Sequence, residues 1–169
     1  MSKPSRTSIA FFLTAGLAGS AALAGPLVPD TPRLCDSCAE WNAPQEPFLL
    51  HGQTYYVGTA GLSSVVVKTS AGLALFDGGL PQSASEIAAH LAKLGLRLED
   101  VKWIFNSHAH YDHAGGIAAL QRASGATVVA SARGAEALER GGPTPDDPQF
   151  GIGEAENATI GGGFYNYVD

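Results

Sequence analysis

The chain has 169 residues, among them five histidines and two cysteines. Its 16 acidic residues outnumber its 10 basic residues, which gives a formal net charge of −6 at pH 7. An acidic surface argues against binding to nucleic acid, because phosphate backbones attract basic surfaces.

The first 24 residues have the three parts of a secretory signal peptide. Lys3 and Arg6 make a positive start, an apolar run covers residues 9–23, and a small-residue cleavage site ends at Ala24. A membrane anchor is the alternative, but the run is shorter than the roughly 20 apolar residues that a membrane span needs. We therefore predict cleavage after Ala24, a periplasmic or secreted protein, and no membrane association afterwards.

An N-terminal extension, residues 25–53, contains the two cysteines, Cys35 and Cys38. The CxxC spacing suggests either a thiol redox site or a structural zinc site. A redox motif would be expected within a βαβ pattern, which is missing here, and a structural zinc would need a second pair of ligands. For an exported protein we predict a local disulfide between Cys35 and Cys38.

Strand and helix patterns alternate from residue 54 to residue 150. Apolar or β-branched runs bounded by glycine predict strands at 55–57, 64–68, 73–76, 101–105 and 127–130. Helical spacing predicts helices at 83–95, with Ser83 and Glu86 as a capping box, at 114–124, and from Ser131 to Gly141. The patterns indicate an α/β fold in which a mixed β-sheet carries helices.

Four candidate metal ligands follow the strand at 101–105: His108, His110, Asp112 and His113. Residues two apart in extended backbone point the same way, so His108, His110 and Asp112 are predicted to converge at the strand end. A helix beginning near Asp112 would turn His113 to a neighbouring position. Imidazole and carboxylate are the ligands of catalytic zinc, so this window predicts a metal site.

The HxHxDH pattern followed by Gly115-Gly116 resembles the metallo-β-lactamase superfamily. Upstream segments, from Trp41-Asn42-Ala43-Pro44 to the run from Phe76 to Ala84, resemble the third subclass of class B β-lactamases. That subclass has a histidine where His113 stands. The resemblance runs from about Trp41 to about Phe150 and implies the N-terminal half of an αββα sandwich.

This resemblance implies a zinc-dependent hydrolase that opens the amide bond of β-lactam antibiotics, small molecules whose hydrolysis gives resistance. His108 and His110 would bind one zinc ion, and Asp112 and His113 a second, with Asp112 also taking part in catalysis. Water activated by zinc would attack the amide carbonyl. Two alternatives stay open: a lactonase or thioesterase of the glyoxalase II type on the same scaffold, and a non-catalytic remnant.

Three further residues lie outside the ligand window. Asp77 either forms an Asp-Gly turn with Gly78 or, as the resemblance implies, lies behind the metal site and supports a ligand histidine. Both interpretations are compatible. His51 and His90 are distant from the motif in sequence, and we interpret them as surface or packing residues.

No histidine follows His113, whereas the resembled family takes one more histidine per metal site from its second half. Residues 151–169 show neither helical nor strand periodicity in their greater part, and we predict an irregular tail. One face of the sheet would then lack a partner. The expectation is a truncated or frameshifted product, altered near Gly151, with little or no activity of its own.

Overall fold

The computed structural model describes residues 25–150 and 166–167, which form a mixed β-sheet with helices. The helices are α1 (Cys38–Trp41), α2 (Ser83–Lys93), α3 (Tyr111–Ala114), α4 (Ile117–Ser124) and α5 (Ala132–Arg140), with a 3₁₀ turn at Leu98–Asp100. The strands are β1 (Phe48–His51), β2 (Thr54–Tyr56), β3 (Val65–Thr69), β4 (Gly72–Phe76), β5 (Val101–Phe105), β6 (Thr127–Ala130) and β7 (Asn166–Tyr167). The predicted signal peptide lies outside the described residues. Among the helices of this part, none combines the length and the apolar character that a membrane span requires.

The seven strands lie side by side in sequence order. Strands β1 to β4 pair antiparallel, and β4 to β7 pair parallel. The predicted mixed sheet with helices is confirmed, and β5 and β6 have the predicted bounds. Two short strands were not predicted: β1 lies in the N-terminal extension, and β7 lies in the segment expected to be an irregular tail.

One face of the sheet is covered by helices α2 and α4, which contact each other. Leu75 and Ile104 of the sheet and Ile87 and Ile117 of the helices are fully buried in one core cluster. Neighbouring residues of a strand point to opposite faces, so Phe76 and its partner Phe105 lie on the other face. Their rings stack at 4.9 Å, and Phe76 is 41% exposed. The aromatic residues of this second face are thus partly open to solvent.

Two details of the helices differ from the predictions. The single helix predicted at 114–124 is broken, because Gly116 N–H donates to Gly79 O (3.2 Å) and so leaves the helical hydrogen-bond pattern. The capping box is also wrong. Ser83 is the first residue of α2, and its hydroxyl accepts from Leu80 N–H (3.0 Å) and donates to Asn42 Oδ1 (2.6 Å). The cap predicted at Ser131 is present, since its side chain accepts from Gly134 N–H.

Candidate metal centre

The site is built where two parallel strands, β4 and β5, end side by side. Phe76 pairs with Phe105 at the last position of both strands, and Asp77 N–H donates to Phe105 O at 2.8 Å. The residues that follow the two strands therefore leave the same edge of the sheet together. In open α/β sheets, this carboxyl edge is where sites are commonly found.

Close contact between two glycine-containing loops brings the residues after β4 up to α3. Gly78 N–H donates to His113 O at 2.8 Å. A Cβ atom on Gly78 would lie 2.7 Å from Ile117 N, and one on Gly116 would lie 2.3 Å from Gly78 O. Backbone atoms cannot approach a side chain so closely, so both positions require glycine. This contact places Asp77 next to His113.

Three of the four predicted ligands converge. His108, Asp112 and His113 each offer one ligand atom, and these atoms all lie within 4.8 Å of one another. Nε2 of His113 is 3.4 Å from Oδ2 of Asp112, and the rings of His108 and His113 are 4.0 Å apart. Two imidazoles and a carboxylate are typical zinc ligands, so this group fits a zinc ion.

His110 is not part of this group of three, although the centre of its ring lies 4.7 Å from that of His108, and its Nε2 is 2.9 Å from Oδ2 of Asp147. His108 therefore lies close to both His110 and Asp112, but these residues come together in a loop and not at an extended strand end. β5 ends at Phe105, and the Asn106 side chain then donates to His108 O at 2.7 Å, which bends the chain into a loop. The roles of all four residues as metal ligands remain predictions.

Asp77 and Ser107 form a hydrogen-bond network behind the histidines. The carboxylate of Asp77 accepts from Ser107 N–H (2.8 Å), from Ser107 Oγ–H (2.6 Å) and from His113 Nδ1 (3.0 Å). Ser107 Oγ is also 3.1 Å from His108 Nδ1. A carboxylate can only accept and the serine has one proton, so Nδ1 of each histidine is assigned as the protonated nitrogen. Both Nε2 atoms thereby keep a lone pair for a metal.

Charge in this network acts differently on the two histidines. Burial opposes the ionisation of Asp77, but hydrogen bonds from His113 and Ser107 outweigh it and hold the pKa of the carboxyl below its ordinary value. The hydrogen bond to Asp77 raises the pKa of His113, against the effect of burial. Burial and the neighbouring rings of His113 and His110 lower the pKa of His108. His108 is thus kept in the neutral form that binds metal.

Asp77 is also conformationally unusual. Its φ of 58° lies in the left-handed region, and it is the non-glycine residue with positive φ among the described residues. Aspartate is one of the few residues that enter this region readily. The supporting contact with a histidine is observed at this residue, whereas the structure has no turn at Asp77 and Gly78.

The other residues singled out in the sequence lie away from this centre. Cys35 and Cys38 form a disulfide beside α1. His51 is exposed on β1, whereas His90 is fully buried in α2, with Nδ1 2.9 Å from Val57 O. Neither histidine contributes to the group of candidate ligands.

Two contributors to the site were missed. The sequence indicates no role for Ser107, because nothing in it pairs this serine with a base, although its place directly before His108 is a usable signal. Asp147 comes long after the motif, and no sequence pattern connects it with His110. Only the fold, which brings the loop after α5 back to the motif, shows that contact.

Comparison with known proteins gives a consistent result. The family model Lactamase_B, described as Metallo-beta-lactamase superfamily, matches residues 57–166. The Rm3 metallo-beta-lactamase structure is 49% identical with a TM-score of 0.76, and the match covers 81% of this chain and 50% of that chain. MEM-A1, a subclass B3 metallo-beta-lactamase from a soil metagenome library, is 51% identical with a TM-score of 0.72, covering 76% and 48%.

A third structure is described as the first B3 metallo-beta-lactamase with an active-site glutamic acid. It is 47% identical with a TM-score of 0.77, and the match covers 82% of this chain and 51% of that chain. The chain thus spans about half the length of the solved structures that it matches. The family model and these similarities agree with the geometry of the site. The chain belongs to the metallo-beta-lactamase superfamily.

Proposed function

We propose that this chain carries the metal-binding motif of a zinc-dependent hydrolase that opens the amide bond of β-lactam antibiotics and so contributes to resistance. The observation that supports this most strongly is the convergence of His108, Asp112 and His113 within 4.8 Å. The similarity to subclass B3 metallo-beta-lactamases favours a β-lactam over a lactone or thioester as substrate.

The proposed metal is zinc, with two ions in a complete enzyme. His108 and His110 are assigned to one ion, and Asp112 and His113 to the other. A bound zinc ion would lower the pKa of its water to about 7 and would itself polarise the carbonyl that is attacked. No serine nucleophile is needed, and Ser107 is already engaged with Asp77.

The residues around the ligands have distinct tasks in this proposal. Asp77 and Ser107 orient the rings of His113 and His108 and keep a proton on Nδ1 of each, so that Nε2 is the atom offered to a metal. Asp112 contributes a charged oxygen on the side of His113 Nε2 and is the proposed catalytic carboxylate. Export through the predicted signal peptide would place the enzyme in the periplasm or outside the cell, where it meets antibiotics.

The test is hydrolysis of a chromogenic cephalosporin by the full chain, with and without added zinc and chelator, beside zinc analysis of the same samples. Asp112→Ala is compared with Asp100→Ala, which changes an exposed aspartate on the 3₁₀ turn. Because the chain spans about half the length of the structures that it matches, we expect weak hydrolysis. This hydrolysis should depend on zinc, should be abolished by a chelator, and should be lost in Asp112→Ala only. Hydrolysis of lactones or thioesters without β-lactam turnover would reject the substrate, and failure to bind zinc would reject the metal centre.

A further inference from the structure

We propose that Asp147 is a positioning residue for His110, which selects the nitrogen of His110 that faces the metal. This inference rests on the proposed zinc site. The contact joins Oδ2 of Asp147 and Nε2 of His110 at 2.9 Å, and the two side chains are only 24% and 21% exposed. A short bond that is partly shielded from water holds its geometry better than a contact on the open surface.

The carboxylate of Asp147 is itself held in place. Asp147 N–H donates to Thr144 O (2.9 Å), and Phe150 N–H donates to Asp147 O (2.9 Å), so the residue lies inside two consecutive turns. Its other carboxylate oxygen, Oδ1, accepts from Gln149 N–H at 2.7 Å. Three hydrogen bonds fix the residue, and they leave Oδ2 for His110.

The consequence for His110 follows from the chemistry of the pair. An ionised carboxylate only accepts, so Nε2 of His110 must carry the proton and Nδ1 keeps its lone pair. Asp77 does the opposite for His113, where Nδ1 carries the proton and Nε2 is left. Two carboxylates from different loops thus select different nitrogens on two ligands that are three residues apart.

The same contact connects the HxHxDH motif to a loop that lines a cavity next to it. A cavity of about 270 Å³ opens beside His108, between the beginning of α5 and the loop that contains Asp147. Among the described residues, the contact between His110 and Asp147 is a direct side-chain bond between this loop and the HxHxDH segment. Loss of Asp147 is therefore expected to free both the His110 ring and the loop.

The test uses the metal-free full chain and three forms: the parent, Asp147→Ala, and Asp146→Ala as the control at the neighbouring, more exposed aspartate. ¹⁵N NMR of the histidine rings shows which nitrogen of His110 is protonated. We expect a slowly exchanging proton on Nε2 in the parent and in Asp146→Ala, and rapid exchange in Asp147→Ala. A proton on Nδ1 of His110 in the parent would overturn the proposal.

A second readout is zinc affinity, measured by competition with a chelator. We expect Asp147→Ala to weaken zinc binding by about 10- to 100-fold, the usual loss when a partner that orients a ligand is removed. Asp146→Ala should bind zinc as the parent does. Equal affinity of the two variants would overturn the proposal. If the parent itself bound no zinc, the proposed function would fail, while the NMR result would still decide the role of Asp147.

Discussion

Replacing Asp77 by asparagine isolates the charge behind the metal centre. Asparagine has the same shape and also tolerates positive φ, so the backbone at this position is preserved. Its amide, however, has one oxygen and one NH₂ group. If the oxygen keeps the bond to Ser107 N–H, the NH₂ group faces His113 Nδ1. It can donate a hydrogen bond to that nitrogen only if the nitrogen carries no proton. The proton of His113 then moves to Nε2, the atom that faces Asp112.

The expected loss can be estimated from these contacts. A hydrogen bond to a charged group stabilises a protein by about 1.5–3 kcal/mol, and one to a neutral group by about 0.5–1.5 kcal/mol. Two bonds, from Ser107 Oγ and His113 Nδ1, end on the replaced oxygen. Asp77→Asn should therefore lower the free energy of unfolding by about 2 kcal/mol. Zinc affinity should fall by about 10- to 100-fold, because the supporting partner of a ligand is lost.

Two measurements on the same samples check this. Urea unfolding of the metal-free chain gives the change in stability, and chelator competition gives the change in zinc affinity. Asp100→Asn, an identical substitution at an exposed position, should alter stability by less than about 0.5 kcal/mol. If Asp77→Asn retained the zinc affinity and the stability of the parent, the network would not control His113 and the reasoning would be refuted.

Three other outcomes are expected. Asp112→Ala should remove one bound zinc per chain in metal analysis, and unchanged zinc content would show that Asp112 is not a ligand. In the metal-free chain, Asp77→Asn should cost most stability between about pH 3.9 and 6.5. The pKa of His113 is raised, so its contribution is complete below about 6.5 and is lost as pH rises through the folded pKa. The pKa of Asp77 is lowered, so its contribution is complete above about 3.9 and is lost as pH falls through the folded pKa. Urea unfolding from below about pH 3.9 to above about pH 6.5 tests both slopes, and a difference that stays constant over this wider range would contradict them. Gly116→Ala should destabilise by about 1–3 kcal/mol, because its Cβ would lie 2.3 Å from a backbone oxygen. Gly25→Ala, with nothing within 4 Å of the added carbon, should leave the melting temperature unchanged.

Local patterns predicted the parts of the fold that depend on local chemistry. Strand β5 is a run of apolar and β-branched residues that ends in a polar loop, and its bounds agree with the prediction. The Ser131 cap was likewise visible, because a serine before a helix satisfies a free N–H by itself. The ligand window was recognisable because its residues are consecutive in sequence.

The remaining features depend on contacts between distant segments. The break at Gly116 results from the loop after β4, which takes up the N–H of that glycine. Strand β1 is a short edge strand whose exposed residues show no alternation of burial. The turning of His110 towards Asp147 follows from where the loop after α5 returns. Periodicity and capping carry no information about such contacts.

Zinc K-edge X-ray absorption on the zinc-loaded full chain reports directly on the proposed metal centre at the HxHxDH motif. We expect only nitrogen and oxygen ligands at about 2.0–2.2 Å, with the scattering pattern of imidazole. Combined replacement of His108, His110 and His113 by alanine should abolish the imidazole signal. A shell of sulfur at about 2.3 Å, or an imidazole signal that survives this replacement, would contradict a metal centre at the HxHxDH motif.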